Sequence, residues 1–512
     1  DRFLVITFPK AAAAALRARI ASAIHARLAR SPGDRHLRRN ATLVYKAPIC
    51  TIDSFCQDLL RQWGHLADLD PDFRVGDQAE LDELGRRAME EVLEARYANI
   101  QNDAPFAALV DALAGERDDQ TLEEAVSFVH KQVQSQADPT GWLRSRKRDF
   151  TLPEGIGPED TPWGRALLED SRELTDYWLG TMKSLRDEIY FDELLNQNYT
   201  PTLGETIGGL ERLRDAISEG WDDAAECFPI PFPMPGKKRK GDTDPALKER
   251  MAALRKRCKA QMGELGARFD VTADQAREDL RAVGPAMTAL LDVTAEFDAA
   301  FVSLKRRRRL IDFNDGEHLT VRLLTNPDGT PTDLARDVGR QFDEIMVDEY
   351  QDTNAVQNAI FGALSNGKNL FMVGDVKQSI YRFRRAEPGI FLEKYGRFAP
   401  AEQAGPGEGR KILLSDNFRS RPEILDGVNF IFRNVMTRAA GELDYTEAEA
   451  LRPGRTDLSP DGRYCVELDC VDLSTLTDGG EEEKVPKDLV CARAAAGRVR
   501  ALLDSGLPIG DR

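Results

Sequence analysis

Residues 344–354 read EIMVDEYQDTN, and residues 370–388 read LFMVGDVKQSIYRFRRAEP. Each stretch opens as a short apolar run, Ile345-Met346-Val347 and then Leu370-Phe371-Met372-Val373. Each run stops abruptly at acids, Asp348-Glu349 in the first and Asp375 in the second. Strands buried on both faces of a parallel sheet read as such unbroken apolar runs. In open α/β sheets the chemistry lies just beyond the strands' carboxyl ends. Adjacent acids there suit a magnesium nucleotide: one carboxylate holds the hydrated cation, the other orients and deprotonates water. A pair of solvated loop acids would also satisfy DE alone. The second strand, Gln378 and the aromatic–arginine run behind it argue against that bland reading.

Between the two runs, Val356, Ile360 and Leu364 recur at i+4, as on one face of a helix, with Asp352 or Thr353 as its N-cap. Strand, helix and strand of this length make a βαβ unit. Two more strand-like runs end in polar motifs: residues 3–6 lead into Thr7-Phe8, and 412–414 into Ser415-Asp416-Asn417-Phe418-Arg419.

Residues from about 76 to 310 have a different texture, with long charged amphipathic segments broken by turn-rich stretches at 151–163 and 228–245. Val283, Met287, Leu290, Phe297, Phe301 and Leu304 are spaced as the seam of one long helix, with Thr294 as a gap. The simplest account is a parallel α/β core interrupted by a large helical insertion. FPIPFPMPGKKRKGDTDP (228–245) reads as an exposed linker or loop. Its KKRK and the run 305–309 (KRRRR) are either solvated faces or phosphate contacts.

At 512 residues the chain exceeds one core, so two to four domains are expected. A net charge of −17 argues against nucleic-acid binding by bulk charge, though not against a locally basic channel. No apolar run reaches the roughly 18 residues of a membrane span, and residues 1–10 lack the pattern of a signal peptide. The seven cysteines show no CxxC pair and no clustered histidine, so reduced thiols are favoured over a metal site.

With these pieces in place, the chain resembles superfamily-1 DNA helicases of the UvrD/RecB type, and most closely the AddA-type helicase–nuclease proteins. The resemblance runs in order through LVITFPKAAAAALRARI (4–20), TIDSFCQDLLRQ (51–62), DLDPDFRVGDQAEL (68–81), DPTGWL (138–143) and LIDFNDGEHLTVRLL (310–324). VDEYQDTN (347–354), VGDVKQSIYRFRRAEP (373–388) and LSDNFRSRPEIL (414–425) complete it. It implies a RecA-like P-loop NTPase core of parallel sheet and flanking helices, using ATP and Mg²⁺ and working on single-stranded DNA and duplex ends. The implied domains are 1–75 (first part of motor domain 1A), 76–310 (helical insertion 1B), 311–410 (return to 1A) and 411–512 (start of motor domain 2A).

Residue by residue, the resemblance implies that Asp348 holds Mg²⁺ through water and that Glu349 is the general base. Gln378 would sense the γ-phosphate, Arg419 would act on it as an arginine finger, and Phe418 would pack near the adenine. Thr7, Phe8, Ser54, Phe55, Tyr381, Phe383 and Arg384 would line the strand path, where aromatic faces stack any base. An AddB-type nuclease partner, action in double-strand-break repair and a bacterial cytoplasmic, nucleoid-associated location follow from the same likeness. A stand-alone UvrD-like helicase and a non-catalytic DNA-binding or assembly protein remain alternatives.

The sequence departs from the family at Pro9, Lys10 and Ala15, where Thr, Asn and Glu are usual. No GxxxxGK[ST] loop precedes residue 3, which suggests a fragment lacking that loop, the C-terminal motor motifs and the nuclease domain. Such a piece is expected to be hydrolytically inactive alone. Gly362 to Lys368 imitates the loop but leaves a helix and enters a strand, the reverse of the order that aims amides at phosphate. A glycine helix cap and strand-entry loop explain that string better.

Overall fold

The computed structural model describes residues 2–114, 118–151, 153, 155–236, 241, 243–441, 443–455, 457–458, 461–471 and 486–506. Two compact units emerge, Asp1–Gly409 and Arg410–Arg512.

In the first unit three of those apolar runs and a fourth segment that was not among them, Ile49–Thr51, make a four-stranded, wholly parallel sheet: β1 (Phe3–Thr7), β2 (Ile49–Thr51), β3 (Glu344–Val347) and β4 (Leu370–Met372), ordered β2-β1-β3-β4. Alternate side chains face opposite ways along a strand, and both faces are covered. Leu4, Ile6, Ile345 and Val347 pack with Ile52, Phe55 and Leu59 of α1 (Ile52–Trp63), and with Val321 and Leu324 of α2 (Phe313–Leu324). Val356, Ile360, Phe361 and Leu364 of α3 (Ala355–Leu364) complete this layer. Val5 and Ile49 pack on the other face against Ala13, Leu16 and Ile20 of the helix Lys10–Arg30.

The helix between β3 and β4 is capped by Asn354, whose side chain accepts from the Gln357 amide. The cap lies beyond the expected Asp352 or Thr353 because Tyr350–Asp352 forms a tight 3₁₀ turn first. The phosphate-loop imitation is a loop into β4: the helix ends at Leu364, with Ser365 as its C-cap. Gly367 takes φ +83° in the turn after it, so it is not the helix cap itself.

Most of the described residues between 78 and 307 are helical. One apolar cluster joins Trp178, Met182 and Leu185 of Pro162–Ile189 to Leu203, Leu210 and Leu213 of Glu193–Glu219, and to Met251 and Met262 of Pro245–Gly266. A second gathers Leu84, Phe106, Leu122 and Val126 around the long helix Ala273–Arg307. Leu290, Phe297, Phe301 and Leu304 form its buried seam, while Val283 is exposed. Thr294 is no gap: it is fully buried, and its hydroxyl donates to the Leu290 carbonyl at 2.8 Å, which satisfies the polar group in place.

The Pro-rich stretch is a loop, as its composition suggests, but it is only partly exposed. Ile230 is buried, Thr206 donates to the Pro231 carbonyl at 2.8 Å, and Arg255 donates to that of Pro233 at 2.7 Å. Residues 228–234 are thus pinned to the helical layer; KKRK (237–240) lies outside the described residues.

The second unit holds a two-residue parallel ladder, Asp416–Asn417 with Arg452–Pro453, and the helices Pro422–Val435 and Lys487–Asp504. Ile412, Leu413 and Leu414 are exposed and outside any strand, contrary to the strand expectation, because a strand needs a ladder partner. All seven cysteines are free, and no helix among the described residues is long and apolar enough to cross a membrane.

Candidate active site and nucleic-acid interface

The sheet register assembles the site. Parallel strands all end on one rim, and the pairing Ile6↔Val347↔Met372 sets the motifs following β1, β3 and β4 side by side there. Asp348 N donates to the Ile6 carbonyl at 2.9 Å, and Val373 N to that of Val347 at 2.9 Å. Past β3 the backbone turns sharply. Glu349 adopts a left-handed conformation (φ 51°), and Tyr350 N donates across to the Val373 carbonyl at 2.8 Å. Tyr350 then drops into the core, its hydroxyl donating to Asn358 Oδ1 at 2.6 Å.

Asp348 and Glu349 are both exposed on this rim, and neither forms an ion pair with a cation among the described residues. Two unneutralised hard-oxygen donors suit a magnesium ion that keeps most of its shell as water and phosphate. No cluster of three or more ligating side chains exists among the described residues, so a cage made of protein alone is not what they form.

Gln351 joins the two strand ends. It is 1% exposed; its Nε2 donates to Glu349 Oε2 at 2.7 Å, and its Oε1 accepts from the Asp375 amide at 2.9 Å. Gln378 Nε2 in turn donates to Asp375 Oδ2 at 2.9 Å. Burial works against the Asp375 charge, but the Lys377 ammonium at 2.8 Å and the Gln378 amide hold its carboxyl below the usual range. Burial, helped by the Glu349 charge, pushes Asp352 up to about 6.

The aromatic residues separate into two kinds. Phe8, just past β1, stacks on Tyr381 with ring centroids 6.5 Å apart and planes 14° from parallel. Tyr381 meets Phe383 at 5.8 Å, and Arg384 lies over both rings at 5.2 and 5.7 Å. Phe383 is 76% exposed, so this patch presents π-faces and a cation to solvent. Phe55 is different. It is buried in the sheet core, edge-on to Phe342 at 6.5 Å, which leaves it little surface for the strand contact the sequence suggests. Thr7 is also buried, its hydroxyl turned to the Pro9 carbonyl at 3.4 Å, and in this conformation it offers no surface to a strand. Ser54 is half-buried, its hydroxyl 3.0 Å from that of Thr51, the N-cap of α1.

The basic run 305–309 is largely committed to acids. Lys305 is buried between Asp312 and Asp315, 2.6 Å from each; Arg309 pairs with Asp70 at 3.0 Å and Arg308 with Glu80 at 3.9 Å. Phe418 and Arg419 belong to the second unit, where the Asn417 side chain accepts from the Arg419 and Ser420 amides at 2.9 and 2.8 Å. The Phe418 ring packs on Gly454, where a Cβ would sit 2.6 Å away.

A parallel sheet with acids and a glutamine at its carboxyl rim, interrupted by a helical insertion, is the architecture of a RecA-like α/β helicase domain. The UvrD/REP helicase N-terminal domain family matches residues 1–399, and the chain belongs to that family. It is similar to the AddA protein of the ATP-dependent helicase/nuclease of Bacillus licheniformis, 36% identical over 524 residues, covering 100% of this chain and 42% of the relative. Its counterpart from Pelotomaculum thermopropionicum is 37% identical, at 100% and 43% coverage. That of Geobacillus thermodenitrificans is 36% identical, at 94% and 39%. The chain thus spans about two fifths of the length of these relatives.

Proposed function

We propose that the chain is part of an ATP-driven 3′-to-5′ DNA helicase of the AddA type. It would work with an AddB-type partner on broken duplex ends, in double-strand-break repair and recombination in the bacterial cytoplasm. One observation carries this reading above the others: on a single sheet rim, the acid pair Asp348-Glu349 neighbours the Asp375–Gln378 segment, which runs directly into the Phe8–Tyr381–Phe383–Arg384 patch.

Asp348 would hold a hydrated Mg²⁺, which when bound supplies positive charge against the phosphates. Glu349 would accept a proton from the attacking water through its exposed carboxylate. Gln378 would contact the γ-phosphate. Arg419 would stabilise charge on the transferring phosphoryl group, and Phe418 would offer a ring to the adenine. Tyr381, Phe383 and Phe8 would stack bases without reading their identity, with Arg384 adding charge, as a motor that walks any sequence requires.

Glu349→Gln in the full-length protein tests the reading. Unwinding should be lost while nucleotide binding stays near the wild-type level. A variant that unwinds duplex at the normal rate would remove the assigned base.

A further inference from the structure

We propose that Gln351 is a positioning residue: its buried amide clamps the Glu349 carboxylate to the Asp375 backbone, so the segment carrying Gln378 and the aromatic patch determines where that carboxylate stands. The inference rests on the helicase reading above and names a residue that the reading itself does not use.

Glu349 needs such a clamp. Its left-handed backbone (φ 51°) is a conformation that a non-glycine residue keeps only when its surroundings hold it. Its side chain leaves the rim exposed, and the Gln351 amide is the partner that holds Oε2 at 2.7 Å. The opposite end of that amide accepts from Asp375 N at 2.9 Å, and Asp375 accepts from Gln378 at 2.9 Å. Hydrogen bonds on the backbone and on the side chain of Asp375 therefore link the base to the glutamine proposed to meet the γ-phosphate. Tyr381 follows Gln378 by three residues.

The residue type fits the task. A donor is required at one end and an acceptor at the other, and a side-chain amide supplies both. Glutamate would set a second carboxylate against Glu349, and methionine would fill the space with no hydrogen bond. The backbone is shaped around this amide as well: a Cβ on Gly374 would lie 2.5 Å from Gln351 Oε1. Gly374→Ala would therefore displace the clamp while leaving its amide in place, and would also press on the Tyr350 and Gln351 backbone nitrogens, each 3.2 Å from that Cβ.

The test uses the full-length protein with Gln351→Met, Gln378→Ala, the double variant and Gly374→Ala. It reads single-strand-stimulated ATP turnover, binding of a fluorescent ATP analogue, anisotropy of a labelled oligo-dT and melting temperature. A positioning role predicts that Gln351→Met lowers kcat at least about tenfold while KM for ATP stays within about twofold, the split expected when a contact matters only during reaction. The double variant should be no slower than the slower single variant, as for residues acting in one network. Gly374→Ala should lower kcat in the same way. An unchanged kcat with only a lower melting temperature overturns the clamp, as do losses that multiply in the double variant. If Gln351→Met does not fold, Gly374→Ala decides on the same criteria; failure of both to fold makes Gln351 a structural residue and also overturns the inference. A wild-type protein without DNA-stimulated turnover would sink the helicase reading, whereas an active wild type matched by Gln351→Met sinks the clamp alone.

Discussion

Phe8 and Phe55 look alike in the sequence, each in a short motif after an apolar run, yet the structure gives them opposite consequences on mutation. Phe55 is 8% exposed and surrounded by sheet and helix side chains. Truncating a core phenylalanine to alanine removes its transfer free energy and leaves a cavity, costing about 3–5 kcal/mol. Phe55→Ala should therefore melt markedly earlier, and its folded fraction should bind single-stranded DNA with nearly wild-type affinity. Phe8 is half-buried, with one ring face toward Tyr381. Stacking on a base contributes about 1–3 kcal/mol, but one face is already occupied, so the lower half of that range applies. Phe8→Ala should then weaken oligo-dT binding by roughly five- to thirtyfold, with about 1.4 kcal/mol per tenfold. Anisotropy at several salt concentrations, beside thermal melts of the same samples, separates the two. Stacking should move the intercept of log Kd against log salt, whereas Arg384→Ala should also reduce the slope, by about 0.7 for one phosphate contact on a single strand. Weaker DNA binding by Phe55→Ala at undiminished stability, or a large drop in melting temperature for Phe8→Ala with normal binding, would refute the division.

Two further outcomes follow from buried charge. Burial first, then the nearby Asp53 charge, push Glu317 up to about 7, although the Gln357 amide at 2.8 Å favours its ionised form. The folded state then keeps a proton that the unfolded chain releases, so this group's contribution to stability falls as pH rises from about 4.5 to 7. Glu317→Gln should relieve the loss, on the order of 3 kcal/mol at pH 8 and about 1 kcal/mol or less at pH 5; a stability difference between the two proteins that is the same at both pH values would count against it. Lys305→Ala would leave Asp312 and Asp315 facing each other in a buried site without their cation. It should cost about 3–5 kcal/mol, and a thermal melt within a degree of wild type would show that the pair is not the strut it resembles.

The places where sequence reasoning fell short share a cause. KRRRR was legible as a basic run, but whether its charges are free depends on Asp70, Glu80, Asp312 and Asp315 arriving from other segments. FPIPFPMP carries the composition of a loop, and only the carbonyl partners offered by Thr206 and Arg255 reveal that it is pinned. Gln351 lies inside VDEYQDTN, where nothing in the linear sequence singles it out. A glutamine between two acids signals nothing until the Asp375 amide is seen 2.9 Å from its oxygen.

The apolar runs of β1, β3 and β4 and the acids that end β3 and β4 are local properties that the linear chain settled, together with the helix linking β3 to β4, whereas β2 was not legible in it and a strand at 412–414 does not form. Partnership is not local. Phe3 pairs with Glu344 and Ile345 with Leu370, and that register decided which motif ends became neighbours and brought the Asp375 amide to Gln351. Packing also decided that Phe8 stays half-buried against Tyr381 while Phe55 is enclosed. A side chain's neighbours depend on contacts hundreds of residues apart in sequence, and those exist only once the sheet has closed and its helices have packed against it.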